Sequence, residues 1–177
     1  MLPAVRVADA ARDADACADI YGHFVRHSVA TFEFEPPTVG EMAARIDASL
    51  QRHEWLVADR GDVVAGFAYA TPWNPRPAYD WSCETTIYVR AGSEAGGIGT
   101  ALYDELLTRL RSRGFHLAIG RIALPNPASV RLHESFGYIP VGVHRNLGYK
   151  HGQWIDVMHT ALQLNAATGE PAPVRDR

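Results

Sequence analysis

Apolar residues recur along the chain with two alternating periods. Val5 to Ala8 reads as a short strand, and from Asp13 to Val25 the apolar positions take helical spacing, with Cys17, Ile20, Tyr21 and Phe24 at i, i+3, i+4 and i+7. Thr38-x-x-Glu41 is a capping box that opens a second helix to about His53, with Met42, Ile46 and Leu50 every fourth residue. Trp55 to Asp59 and Val63 to Ala70 then flank Arg60-Gly61-Asp62, the chemistry of a β-hairpin. Glu84 to Val89 predicts a strand, and Ile98 to Arg113 a helix with Leu102, Leu106 and Leu110 on one face. His116 to Ala123 predicts the strand that completes a β-α-β unit. Asn126-Pro127 opens a short helix through Phe136, with Gly137 placed to end it. Two strands, about Tyr138 to Leu147 and Gln153 to Leu164, finish one domain over residues 1–164. Residues 165–177, NAATGEPAPVRDR, lack apolar periodicity and are expected to form a mobile tail.

Composition narrows what such a domain can do. With 177 residues, 47% of them hydrophobic, the chain can bury a full core without metal or disulfide support. Seventeen Lys and Arg against 20 Asp and Glu give a net charge of −3, which removes the electrostatic footprint of a general nucleic-acid binder. No apolar run approaches the ~20 residues of a membrane span, and the N-terminus lacks the features of a signal peptide, so the chain is expected to be cytoplasmic. Cys17 and Cys83 stand apart from any C-x-x-C or Cys/His cluster, so they read as free core thiols and no metal is expected.

The chemistry concentrates in three stretches. The first is a run of glycines, Gly92, Gly96, Gly97 and Gly99, directly before a helix. Glycine costs helix stability, so a cluster at a helix start suggests that something approaches the backbone closely. Leu102 stands where a dinucleotide-binding fingerprint needs its third glycine, and no lysine precedes Thr100 as a Walker A loop requires. What remains is a helix N-terminus whose unpaired N–H groups and positive dipole end can hold a phosphate without a basic side chain. The second stretch, TPWNPRPAYDW at 71–81, has three prolines that exclude regular structure. Its aromatics point to a folded loop in which Arg76, between Pro75 and Pro77 and supported by Tyr79, is an anchor for an acidic substrate group. The third is N126-P-A-S129-V-R-L-H133-E-S-F-G137-Y138.

The order of elements, the glycine turn and this third stretch together resemble the GNAT superfamily of acyl-CoA-dependent N-acetyltransferases over residues 4–164. PWNPRPAYDWSCETTIYV (72–89), LPNPASVRLHESFGY (124–138) and GYKHGQWIDV (148–157) are closer still to the phosphinothricin and methionine sulfoximine N-acetyltransferases. The resemblance implies an α/β fold with one mixed, mostly antiparallel sheet, helices on both faces and a splayed central strand pair. It implies acetyl-CoA as co-substrate, an amino acid or amino-acid analogue as acceptor, and a homodimer. The turn, Ala95, Gly96, Gly97, Ile98, Gly99 and Thr100, is expected to wrap the pyrophosphate, although Glu94 stands where the superfamily has Gln or Arg. Ile87, Tyr88 and Val89 would offer backbone groups to the pantetheine arm, with Asn126 and Ser129 on its other side.

An α-ammonium must lose a proton before it attacks a thioester, which calls for a base. Glu84, at the start of the strand that enters the glycine turn, matches the family's proposed one. His133 falls where many members carry a tyrosine general acid, and its role as acid or as part of a base relay stays open. Tyr103 matches a tyrosine assigned to the active site, and the segment Phe32-Glu33-Phe34-Glu35, between the first two helices, is expected to border the acceptor site, with Phe34 as an aromatic wall of the pocket. At this point a non-catalytic acyl-CoA-binding module and an acetyltransferase for another amine remain alternatives.

Overall fold

The computed structural model describes residues 3–93 and 96–175. Seven strands form one sheet in the order β1-β2-β3-β4-β5-β7-β6. They are β1 (Ala4–Val7), β2 (Trp55–Arg60), β3 (Val63–Pro72), β4 (Ser82–Val89), β5 (Leu117–Ala123), β6 (Ile139–Lys150) and β7 (Gln153–Gln163). Every pairing is antiparallel except β4 with β5. The helices are α1 (Ala10–His27), α2 (Val39–Arg52), α3 (Ile98–Arg113) and α4 (Pro127–Ser135), with a 3-10 turn at Pro77–Tyr79.

Alternation along β2 explains why both sheet faces are covered. Trp55 and Val57 join Cys17, Ile20, Met42 and Ile46 of α1 and α2, whereas Leu56 and Ala58 join Leu102, Leu106 and Leu110 of α3 on the opposite face. Both cysteines are free and buried in these layers. Burying one such leucine contributes about 1.5–3 kcal/mol, and α3 places four of its leucines fully out of solvent.

The helix starts follow local chemistry. Thr38 Oγ1 accepts from the N–H of Glu41 at 3.2 Å, and Thr38 N–H donates to Glu41 Oε2 at 2.7 Å, closing the expected capping box. Helix α1 begins at Ala10, three residues before the expected start at Asp13, because the Asp9 carboxylate accepts from the N–H groups of Ala11 and Arg12. Asn126 caps α4 by accepting from Ser129 N–H at 3.1 Å, and Gly137 takes the left-handed conformation after it (φ 86°).

Two features of the sheet position the site. Strands β4 and β5 pair only from Ser82 to Glu84 with Leu117 to Ile119, so beyond Glu84 they diverge and leave a wedge between their C-terminal halves. At the far edge β6 exposes both its faces, and Ile139, Val141, Leu147 and Tyr149 are all more than half exposed. Part of the stretch after β7 packs against the domain: Trp81 Nε1–H donates to the Ala172 carbonyl, Arg113 Nε–H donates to the Arg175 carbonyl, and Val174 joins the α3 core.

Candidate active site

The wedge opened by β4 and β5 is a groove of about 330 Å³. Its walls include Ile87, Tyr88 and Val89 of β4, Gly97, Gly99 and Thr100 at the start of α3, and Asn126 and Ser129 at the start of α4. Gly97 is the N-cap of α3 in the left-handed conformation (φ 69°), and among the described residues no side chain caps the helix. The first N–H groups of α3 are therefore free to point at an anion. Ile98, in contrast, is fully buried between α3 and the sheet, where it helps hold the turn in place. Ala95 and Glu94 lie outside the described residues.

The turn has a cation that its own sequence does not supply. The Arg60 guanidinium, from the end of β2, lies 3.0–3.3 Å from where a Cβ on Gly96 would stand. Gly96 thus makes room for a side chain from another element.

A second cavity of about 730 Å³ adjoins the first, and Ala30, Thr86, Tyr88, Arg121 and Ala123 line both. Glu84 faces this second cavity from the apex of the strand split, with its side chain 15% exposed. Arg121 Nε–H donates to Glu84 Oε1 at 2.8 Å. The opposite wall is the α1–α2 connection. Tyr21 hydroxyl shares a hydrogen bond with Thr31 Oγ1 (2.6 Å) and donates to Glu33 Oε1 (2.9 Å), while Arg45 grips both Glu33 oxygens at 2.8 and 3.0 Å. Lys150 Nζ, at the end of β6, donates to the Thr31 carbonyl at 2.7 Å and ties the connection to the last hairpin. Burial lowers the Lys150 pKa.

Several expected site residues sit elsewhere. Phe34 is 71% exposed, and its neighbour Phe32 lines the cavity instead, with its ring against Gly148 where a side chain would collide. Arg76 and Tyr79 are exposed and stand on the wall of neither cavity, because the prolines carry this loop outward over the end of β3. The loop is nevertheless folded. Trp73 packs edge-on to His159, and Arg52 lies 3.4 Å from Asp80.

Tyr103 is fully buried in the α3 core, and its hydroxyl meets His133 Nε2 at 2.9 Å. The other ring nitrogen, Nδ1, lies 2.8 Å from the Ser129 carbonyl. That carbonyl can only accept, so Nδ1 carries the proton and Nε2 accepts from Tyr103. Burial lowers the His133 pKa, keeping the ring neutral near pH 7, and neither nitrogen is left for substrate. The ring wedges α4 against β5, where a Cβ on Gly120 would lie 2.8 Å from Nε2.

Sequence reasoning missed Arg121, Tyr21 and Thr31, whereas Glu33 lies in the segment expected to border the acceptor site. Arg121 carries one legible signal: it is the polar residue that breaks the apolar run of β5. Among the described residues, no group of three or more His, Cys, Asp or Glu side chains could hold a metal ion, and no helix is long and apolar enough to cross a membrane.

A split strand pair that ends at an uncapped, glycine-rich helix start, beside a carboxylate in a second cavity, defines an acyl-coenzyme A-dependent transferase site. The chain belongs to the GNAT acetyltransferases: residues 7–159 match the acetyltransferase (GNAT) domain. It is 44% identical over 153 residues to the phosphinothricin N-acetyltransferase of Streptomyces viridochromogenes, covering 86% of this chain and 83% of that one. It is 30% identical to the L-methionine sulfoximine/L-methionine sulfone acetyltransferase of Salmonella typhimurium, across 91% and 94% of the two chains. The crystal structure of a GNAT superfamily phosphinothricin acetyltransferase from Sinorhizobium meliloti in complex with AcCoA superposes with a TM-score of 0.92 at 34% identity, covering 97% of this chain and 94% of that one. The chain is an N-acetyltransferase that uses acetyl-CoA, and the groove suits that donor: free helix amides for its phosphates, a split strand edge for its amide-bearing arm.

Proposed function

We propose that this chain acetylates the α-amino group of a small amino acid or analogue of the phosphinothricin, methionine sulfoximine or methionine sulfone type, with Glu84 as the base. The observation that carries this reading is the place of Glu84: the last β4 residue paired with β5, on the wall of the second cavity and bonded to Arg121, which lines both cavities. Bound acetyl-CoA supplies a thioester carbonyl open to attack and a thiolate leaving group. Glu84 takes a proton from the acceptor ammonium and frees the nitrogen lone pair for the new N–C bond. Tyr21, Thr31 and Glu33 shape the cavity wall opposite, and the Glu33–Arg45 pair holds that wall in register with α2. His133 and Tyr103 act from beneath, fixing the α4 N-terminus so that Asn126 and Ser129 face the donor. The exposed apolar strand β6 is covered by a second copy of the chain, making a homodimer.

The test is release of thiol from acetyl-CoA with phosphinothricin, L-methionine sulfoximine, L-methionine sulfone and common amino acids as acceptors. Turnover is expected with at least one of the first three, and the reading is abandoned if none of the panel releases thiol above the acceptor-free rate.

A further inference from the structure

The acceptor cavity holds one cation whose work is unfinished. Arg121 lines both cavities and uses its Nε–H on Glu84, while its side chain remains 52% exposed. Among the described residues, its two terminal nitrogens make no hydrogen bond and Glu84 is its sole carboxylate neighbour within 4 Å. The guanidinium is planar and carries five donors, so the edge formed by the terminal nitrogens still offers a two-pronged site for an oxyanion.

The pair has a chemical complement. An α-amino acid carries an ammonium and a carboxylate on one carbon, so its two charges are separated by about one hydrogen-bond length. Glu84 and Arg121 present an anion and a cation at that same separation, with opposite signs. An ammonium on Glu84 brings the neighbouring carboxylate onto the free edge of Arg121 in the same pose. We propose that Arg121 binds the acceptor's α-carboxylate and so restricts the enzyme to free α-amino acids and their analogues, against simple amines and amidated amino acids. This rests on the reading of Glu84 as base and deepens it by naming what the neighbouring cation recognises.

Registry keeps Arg121 in place. Its Cα partner across the β5–β7 ladder is His159, and Ile119, one step back on the same strand face, pairs with Glu84. The cation therefore stands one pleat beyond the base toward the donor groove. In that position a bound carboxylate also lies beside the thioester end of the groove, fixing the amine's approach.

The experiment compares L-methionine sulfone with 3-(methylsulfonyl)propylamine, its decarboxylated counterpart, and with L-methionine sulfone amide, in wild-type enzyme, Arg121→Met and Arg121→Lys. For wild type, kcat/KM should fall roughly 10- to 150-fold when the carboxylate is removed or amidated, the range of a hydrogen bond to a charged group. Arg121→Met should lose a similar factor on methionine sulfone but much less on the decarboxylated amine, so that discrimination shrinks to within about fivefold. Arg121→Lys should retain part of the preference, since it keeps charge without the fork. Acetyl-CoA affinity by calorimetry and the thermal midpoint report that each variant is folded with its groove intact. Equal losses on both acceptors in Arg121→Met would show that the residue acts only through Glu84, and a wild-type enzyme indifferent to the carboxylate would also overturn the proposal. Both outcomes leave acetyl transfer by Glu84 standing, whereas silence toward every amino acid removes that reading first.

Discussion

If Glu84 is the base proposed above, placed by the end of the β4–β5 pairing on the wall of the second cavity, its loss has a specific signature. Glu84→Gln keeps shape and one hydrogen-bond acceptor for Arg121 but cannot take a proton. Its kcat should fall about 10²- to 10⁴-fold, the usual contribution of a positioned base, while acetyl-CoA affinity by calorimetry stays within about twofold. Near-normal kcat in this variant would remove the base assignment. His133 behaves in the opposite way. Its ring is neutral near pH 7 and spends both nitrogens on Ser129 and Tyr103, so it holds α4 rather than moving a proton. His133→Asn should weaken acetyl-CoA binding and lower the thermal midpoint while leaving the shape of the pH–kcat profile unchanged. Disappearance of the profile's basic limb in this variant would instead mark His133 as an acid.

Elements matter here mainly by where they end. The groove exists because β4 and β5 stop pairing after Glu84, and the start of α3 forms one of its walls. Gly97 has open space around its missing Cβ but a φ of 69°, so a substitution there is opposed by backbone geometry and not by a clash. Gly97→Ala should cost about 1 kcal/mol in stability and weaken acetyl-CoA measurably, since the turn relaxes toward a right-handed start that redirects the free N–H groups. The other helix start separates stability from binding. Thr38→Ala removes a side-chain acceptor in a capping box on the opposite face of the sheet and should cost about 1 kcal/mol by urea titration with acetyl-CoA affinity unchanged. An altered coenzyme affinity in that variant would mean that α2 reaches the groove through the α1–α2 connection.

Across the whole molecule, charge and exposed surface set two further expectations. Burial lowers the pKa of His53 to about 4, assisted by the Arg113 guanidinium, and lowers those of His133 and His159. A group with a depressed native pKa stays neutral in the fold while the unfolded chain takes up its proton near pH 6.5, so stability is full above that value and falls as pH drops toward the native values. The urea midpoint at pH 7.5 should therefore exceed that at pH 5, and an equal midpoint would show that these rings are protonated without cost. At the sheet edge, Val141 is 68% and Trp154 64% exposed, an apolar surface that a second chain would cover. Sedimentation should show a dimer for the wild-type chain and a shift toward monomer for Val141→Glu. A wild-type monomer at micromolar concentration would refute the pairing.

Much of this protein was legible along the chain because local rules wrote it. The capping box at Thr38, the Asn126-Pro127 start of α4 and the glycine turn before α3 depend on contacts within a few residues, and periodicity marked the buried stripes of α1, α2 and α3. The motifs also carried the family, and hence the split in the sheet, before any coordinates. Long-range placement was not legible. Phe32 and Phe34 have the same composition around them, and only the fold turns the first inward against Gly148. His133 looks like a catalytic residue in sequence and becomes a wedge once Tyr103, thirty residues away, meets its free nitrogen. Arg60 reaches Gly96 across a gap of 36 residues because the end of β2 lies beside the turn before α3, and Arg121 reaches Glu84 across 37 because strand register brings them together. The sequence by itself determined the elements, the family and the glycine turn that starts α3, since each is encoded by neighbours. Tertiary structure alone decided which charges face the second cavity, since that depends on how distant strands align.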